Sequence, residues 1–139
     1  MASKIDKLWS RRGGYAGFGN HVAEVARQFP HIKVHPDIWH SVRPTTSASA
    51  HLFVKAVELV EMDEKKGDLP AFLDRKSTQA AAAVRKRFFT EGRDISDWDV
   101  HREIASEIDV DYEKSIGASV PRMLLQPWLP MSELRKKTE

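Results

Sequence analysis

Six histidines and no cysteine set the range of chemistry open to this 139-residue chain. His31 and His35 are four apart, the spacing with which two helical histidines share a zinc ion. On an extended segment that separation spans about 13 Å, too wide for one ion at bonds near 2 Å. His35 and His40 flank Pro36 and a loop, but no third ligand accompanies them. The expectation is no metal site, with solvated or hydrogen-bonded histidines instead. Ser47 or Ser49, His51 and Asp37 supply the residue types of a hydrolytic triad, but no nucleophile elbow appears. Ser49 reads better as a helix cap, and His51 falls at a helix start where its ring can face a groove. Gly13-Gly14-Tyr15-Ala16-Gly17-Phe18-Gly19 has the glycine density of a phosphate loop, yet no Gly-Lys-Ser/Thr follows and no strand precedes it. Arg75-Lys76 and Arg85-Lys86-Arg87 have the charge to meet phosphate. The acidic stretch beside them favours a solvated helix face, so nucleic acid is not an expected partner. Among the tryptophans, Trp98 and Trp128 read as packing anchors. Trp39, between Pro36 and Pro44, suits either the core or the wall of a cleft.

Those residues sit on elements that can be placed from pattern. Lys4 to Trp9 is a short amphipathic turn or two. Four glycines over 13–19 break regular structure. Asn20 can cap a helix whose Val22, Val25, Ala26 and Phe29 share one face, and Pro30 ends it. His31-Ile32-Lys33-Val34-His35 alternates in polarity and reads as a strand. Thr45 to Ser49 offers caps for a helix to about Met62, with Ala50, Phe53, Val54, Val57 and Val60 or Glu61 at helical spacing. On that reading Glu58 and Glu61 lie on the other side. Asp68-Leu69-Pro70 looks like a fresh helix start. Phe72, Leu73, Ala80, Ala81, Val84 and Phe88 then give one long helix or two short ones ending near Thr90. Ser96-Asp97-Trp98-Asp99 is a capping-box variant, followed by the stripe Val100, Ile104, Ala105, Ile108. Asp109 or Asp111 can cap a last short helix from Tyr112 to Ile116. Pro121, Pro127 and Pro130 interrupt the remainder, which is expected to be irregular. The total is five helices and one strand, and a lone strand is itself informative: its backbone groups need a partner.

Composition narrows the classes. Hydrophobic residues make up 41% and charged residues 30%, a globular balance rather than a disordered one. The missing cysteine removes disulfides, thiolate nucleophiles and cysteine-bound zinc or iron–sulfur centres. No apolar run approaches the roughly 20 residues of a membrane helix, and Met1 to Trp9 lacks the apolar core of a secretory signal. No membrane partner is therefore expected, and a cytoplasmic location is. Net charge is +2, but residues 91–113 carry −7 and residues 114–139 carry +3.

Four stretches together suggest a family. Arg12 to Gly19, His35 to Trp39, Pro44 to Ala56 and Phe88 to Asp97 resemble the middle of the DsbA-like thioredoxin family. The nearest branch is that of 2-hydroxychromene-2-carboxylate isomerases and FrnE-like dithiol oxidoreductases, and the likeness covers about residues 9–116. It implies a mostly α fold, an α+β remnant with one short strand. A partial thioredoxin-like segment would occupy 1–43, a helical insertion domain 44–117, and a divergent tail 118–139. The strand at 31–35 would be the family's second. The first strand and the Cys-x-x-Cys (or Ser) loop would precede residue 1, and Val120-Pro121 comes too early to match the family's cis-proline. The implied role is thiol–disulfide oxidoreductase or glutathione-dependent isomerase, and glutathione enters only through this resemblance; no other cofactor is expected. Exchange needs a thiolate, so the chain is expected to be catalytically incomplete, a truncated relative with no catalytic residue of its own. The family's insertion helices cover a substrate groove, which makes Trp39, Arg43 and His51 the expected lining of its remnant. The alternative is a non-catalytic helical interaction module, completed by a second copy (a homo-oligomer) or by a strand-adding partner.

Overall fold

The computed structural model describes residues 2–117; the expected irregular tail, with Trp128 and Val120-Pro121, lies outside them. The described chain is mostly helical. Its elements are α1 (Ala2–Trp9), a 3-10 turn (Ser10–Arg12), α2 (Gly14–Arg27), α3 (Ala48–Glu64), a second 3-10 turn (Phe72–Asp74), α4 (Lys76–Arg85), α5 (Trp98–Glu107) and α6 (112–117). α4 runs directly into a π-helical turn, Lys86–Thr90.

The strongest periodicities formed the expected helices. α3, α4 and α5 close on one core of Ala50, Phe53, Val57, Ala80, Val84, Val100, Ile104, Ala105 and Ile108. Ala80 is fully buried, and its small side chain lets α4 approach α3 closely. Asp97 caps α5 by accepting the Asp99 N–H at 2.9 Å, and Asp111 accepts that of Lys114 at 3.0 Å.

A second core collects Ile38, Trp39 and Phe88, with Ile5, Tyr15, Phe18, Val22 and Val34 packed around them. Trp39 is its hub: its ring stacks on Tyr15 at 6.5 Å and meets Phe18 and Phe88, each at 5.4 Å. Its backbone is left-handed, φ 64°, a strained conformation for a bulky residue that the surrounding aromatic packing holds in place. Phe88, from the end of α4, ties this core to the first.

Five local expectations are corrected. The strand at 31–35 does not form. His31 lies in a turn, 32–35 takes no regular form, and no strand among the described residues pairs with it. The His35 N–H instead donates to the Phe89 carbonyl at 2.6 Å, and the β-type pairing among the described residues is one isolated bridge, Ile38 to Val42. The glycine-rich run is not a loop either. The break is confined to Gly13 and Gly14, whose positive φ turns the chain between α1 and α2. Gly17 and Gly19 lie inside α2, where bare backbone is required: a Cβ on Gly19 would stand 2.8 Å from both the His40 ring and the Ile38 carbonyl. Asn20 is therefore within the helix, not its cap. Asp68-Leu69-Pro70 starts no helix, and Phe72 and Leu73 are exposed. Finally, Glu61 is buried rather than solvated.

Candidate functional site

Glu61 shows how the second half of the chain is assembled. No side chain within α4 caps its N-terminus. Glu61 reaches across from α3 and accepts the Lys76 N–H at 2.9 Å and the Ser77 N–H at 3.4 Å. A carboxylate placed there satisfies donors that the helix leaves unpaired and lies against the positive end of its dipole. This is joinery, and its ligand is the protein itself.

The open surface lies in the other half. Along α2, Val22, Val25 and Ala26 present one apolar stripe. Pro30 stops the helix, and the chain doubles back so that Phe29, Ile32 and Val34 extend the stripe. Opposite them stands the π-helical turn at the end of α4, where Phe88 enters the aromatic core and Phe89 stays outside, edge-on to Phe88 at 4.8 Å. Between these walls runs a groove of about 470 Å³ lined by Val22, Val25, Ala26, Phe29, Ile32 and Phe89. A second hollow of about 440 Å³ shares Ala26, Phe29, Ile32 and Val34 with it. Val25, Phe29, Ile32 and Phe89 remain 40, 45, 45 and 39% exposed.

The polar margin of these hollows has one sign. Lys33, Arg85 and Lys86 border the first beside His31, and Arg27 borders the second; no carboxylate among the described residues lines either. Lys86 is paired with Glu91 at 3.5 Å, whereas Lys33 and Arg85 form no ion pair among the described residues. Arg87 points away from this groove: it holds Glu91 at 2.8 Å and Glu107 at 2.8 Å, tying the end of α4 to α5. The run Arg85-Lys86-Arg87 is thus divided between two faces and offers no continuous phosphate surface.

The residues singled out from sequence fall elsewhere. Trp39 is buried in the aromatic core. Arg43 is exposed and lays its guanidinium over Tyr15 at 4.7 Å, with Nε donating to the His40 carbonyl at 2.6 Å. Trp39 and Arg43 therefore both meet the Tyr15 ring, while His51 borders a separate basin with Lys4, Leu52 and Lys55. The three do not converge. Ser49 donates to the Ile95 and Ser96 carbonyls, both at 3.4 Å, and has no link to His51 or Asp37. His35 sits over Gly92, His40 against Gly19, and no group of three or more ligating side chains able to hold a metal occurs among the described residues.

Comparison with family models, with curated proteins and with solved structures gave no match. The DsbA-like resemblance rests on the sequence motifs alone. No helix among the described residues is long and apolar enough to cross a membrane.

Sequence reasoning found the Val22–Val25–Ala26–Phe29 face but not the groove that it lines. It missed Phe89 as a surface residue and His101 altogether. His101 is fully buried, stacked flat on Phe53 at 5.1 Å with Trp98 edge-on at 5.1 Å. Its Nε2 meets the Ile95 carbonyl at 2.9 Å and its Nδ1 is buried without a partner. Burial pushes its pKa below the usual histidine value, against the opposing pull of the Ile95 carbonyl and the Asp97 charge. The signal available in sequence was its spacing: 101 falls beside Val100 and Ile104 on the inward side of α5.

Proposed function

We propose that the chain is a non-catalytic helical interaction module of DsbA-like, thioredoxin-family descent, and that its working surface is the groove between α2 and the end of α4. The observation that carries this reading is the groove's floor. Val25, Phe29, Ile32 and Phe89 stay open to water side by side, while the helices of the other half bury their apolar faces. Single exposed hydrophobics are ordinary; a concave, contiguous set marks a surface meant to be covered. The family resemblance supports the same location. The groove adjoins 31–34, within the segment that the resemblance assigns to the family's second strand. Thiol–disulfide exchange has no atom to act through here, because it requires a thiolate and the chain holds no cysteine.

The test has two arms. Purified protein is expected to bind anilinonaphthalene sulfonate, an apolar dye with one anionic group, saturably and with enhanced fluorescence. The double variant Val25→Asp, Phe29→Asp is expected to lose most of that signal with its near-ultraviolet circular dichroism unchanged. In parallel, the protein is expected not to catalyse insulin reduction or oxidation of a reduced peptide. Dye binding indifferent to the double variant, or catalytic turnover in the second arm, overturns the reading.

A further inference from the structure

We infer that the groove takes an amphipathic helix of a partner protein whose polar flanks are acidic. This rests on the interaction reading and adds the chemistry of what is bound. The first ground is shape. The hollows are open troughs whose floor residues stay about two-fifths exposed, so a small ligand lying there would remain half wet, unlike one in an enclosing pocket. A helix brings its own apolar stripe, with side chains at i, i+3, i+4 and i+7, and covers such a trough from above. Phe29 and Ile32 line both hollows, so anchors on successive turns of a bound helix can seat on either side of them.

The second ground is charge. The chain carries 20 acidic residues against 22 basic ones, yet no acid among the described residues lines either hollow. Arg27, Lys33, Arg85 and Lys86 stand around the apolar floor, and Lys33 and Arg85 form no ion pair among the described residues. Glu or Asp on the flanks of a bound helix would meet these cations as its apolar stripe enters the trough. Such complementarity sets orientation and partner choice more than bulk affinity. The chain's own residues 118–139 carry net positive charge, the wrong sign for this site, and three prolines, which disfavour a continuous helix. A lipid surface would call for apolar side chains on a protruding edge, whereas these line hollows.

The experiment uses the full chain and two synthetic helical peptides with one shared leucine–phenylalanine stripe, flanked by glutamates in one and lysines in the other. Fluorescence anisotropy is expected to show the acidic peptide binding at least about tenfold more tightly at low salt, with the preference shrinking in 0.5 M salt. Lys33→Glu with Arg85→Glu is expected to reverse the preference; both residues are exposed, so folding is spared, and circular dichroism checks this. Equal binding of both peptides overturns the inference and leaves the interaction reading standing. Absence of peptide binding together with groove-independent dye binding overturns both. Tighter binding to phosphatidylserine vesicles than to the acidic peptide assigns the surface to lipid. A wild-type dimer that Phe29→Asp returns to monomer assigns it to a second copy. Peptide binding that appears only after removal of 118–139 assigns it to the chain's own end. Each of these last three results overturns the inference.

Discussion

The two halves of this chain treat their apolar side chains in opposite ways. From α3 onward the helical stripes find partners, although Phe72 and Leu73 between α3 and α4 stay exposed: Phe53 is fully buried, Ile104 and Ala105 likewise, and even the start of α4 is capped from α3 by Glu61. In the N-terminal half, α2 has as clear a stripe, but only its Val22 end packs on the aromatic core around Trp39. The Val25–Phe29 end faces water. Amphipathic pattern therefore states that a helix wants to be covered and is silent about what covers it. Where the covering is internal the pattern contributes to stability, and where it is not the pattern marks a surface for association.

That contrast can be broken most directly by truncating one phenylalanine in each half. Phe53→Ala removes a fully buried ring together with the stacking surface of His101, and is expected to cost about 3–5 kcal/mol. Phe29→Ala removes a half-exposed ring and is expected to stay within about 0.5 kcal/mol. Urea denaturation followed by far-ultraviolet circular dichroism measures both. A loss at Phe29 approaching that at Phe53 would mean that the groove belongs to the core.

Glu61 sharpens the comparison at the level of a single cap. Glu61→Ala leaves the Lys76 and Ser77 N–H groups without their acceptor in a part-buried setting and is expected to cost about 2 kcal/mol. Glu61→Gln keeps one acceptor oxygen and is expected to lose about half as much. A shift of the urea midpoint at constant slope is the readout. Equal stability of Glu61→Ala and wild type would show that water replaces the carboxylate without loss.

What sequence could disclose follows the same line. α5 was readable because its information is local: a capping segment at 96–99 and Val100, Ile104, Ala105 and Ile108 at helical spacing lie close together, although the cap is Asp97 rather than the Ser96 that a capping box would use. The role of Glu61 was not, because its partners lie 15 and 16 residues away on another helix. The strand at 31–35 failed for a related reason. Alternation of Ile32 and Val34 reports that one side of the segment is apolar, and that side lines the groove; alternation does not supply a neighbouring strand. Gly17 and Gly19 were read as flexibility when they mark close approach of the Arg12, Ile38 and His40 atoms to α2. Of the proposed lining residues, Trp39, Arg43 and His51 were chosen by type and by the family resemblance, whereas the groove is made of Phe29, Ile32 and Phe89, residues whose types announce nothing.

The smallest effect concerns the acid limb of stability. His101 lies wholly inside the first core, and burial lowers its pKa in the folded state. An unfolded histidine titrates near 6.5. Above that value neither state holds the proton, so His101 adds no pH dependence. As the pH falls below about 6.5 the unfolded chain takes up a proton that the folded core resists, and stability declines until the folded pKa is reached. The slope from one such group is at most about 1.4 kcal/mol per pH unit. The unfolding free energy is expected to be lower at pH 5.5 than at pH 7.0, by at most about 1.2 kcal/mol from this source. His101→Phe keeps the flat stack on Phe53 while removing the titrating nitrogens, and is expected to reduce that difference. An equal pH dependence in the variant would place the acid sensitivity in the carboxylate pairs Arg87–Glu107 and Arg93–Glu103 that brace α5 from outside.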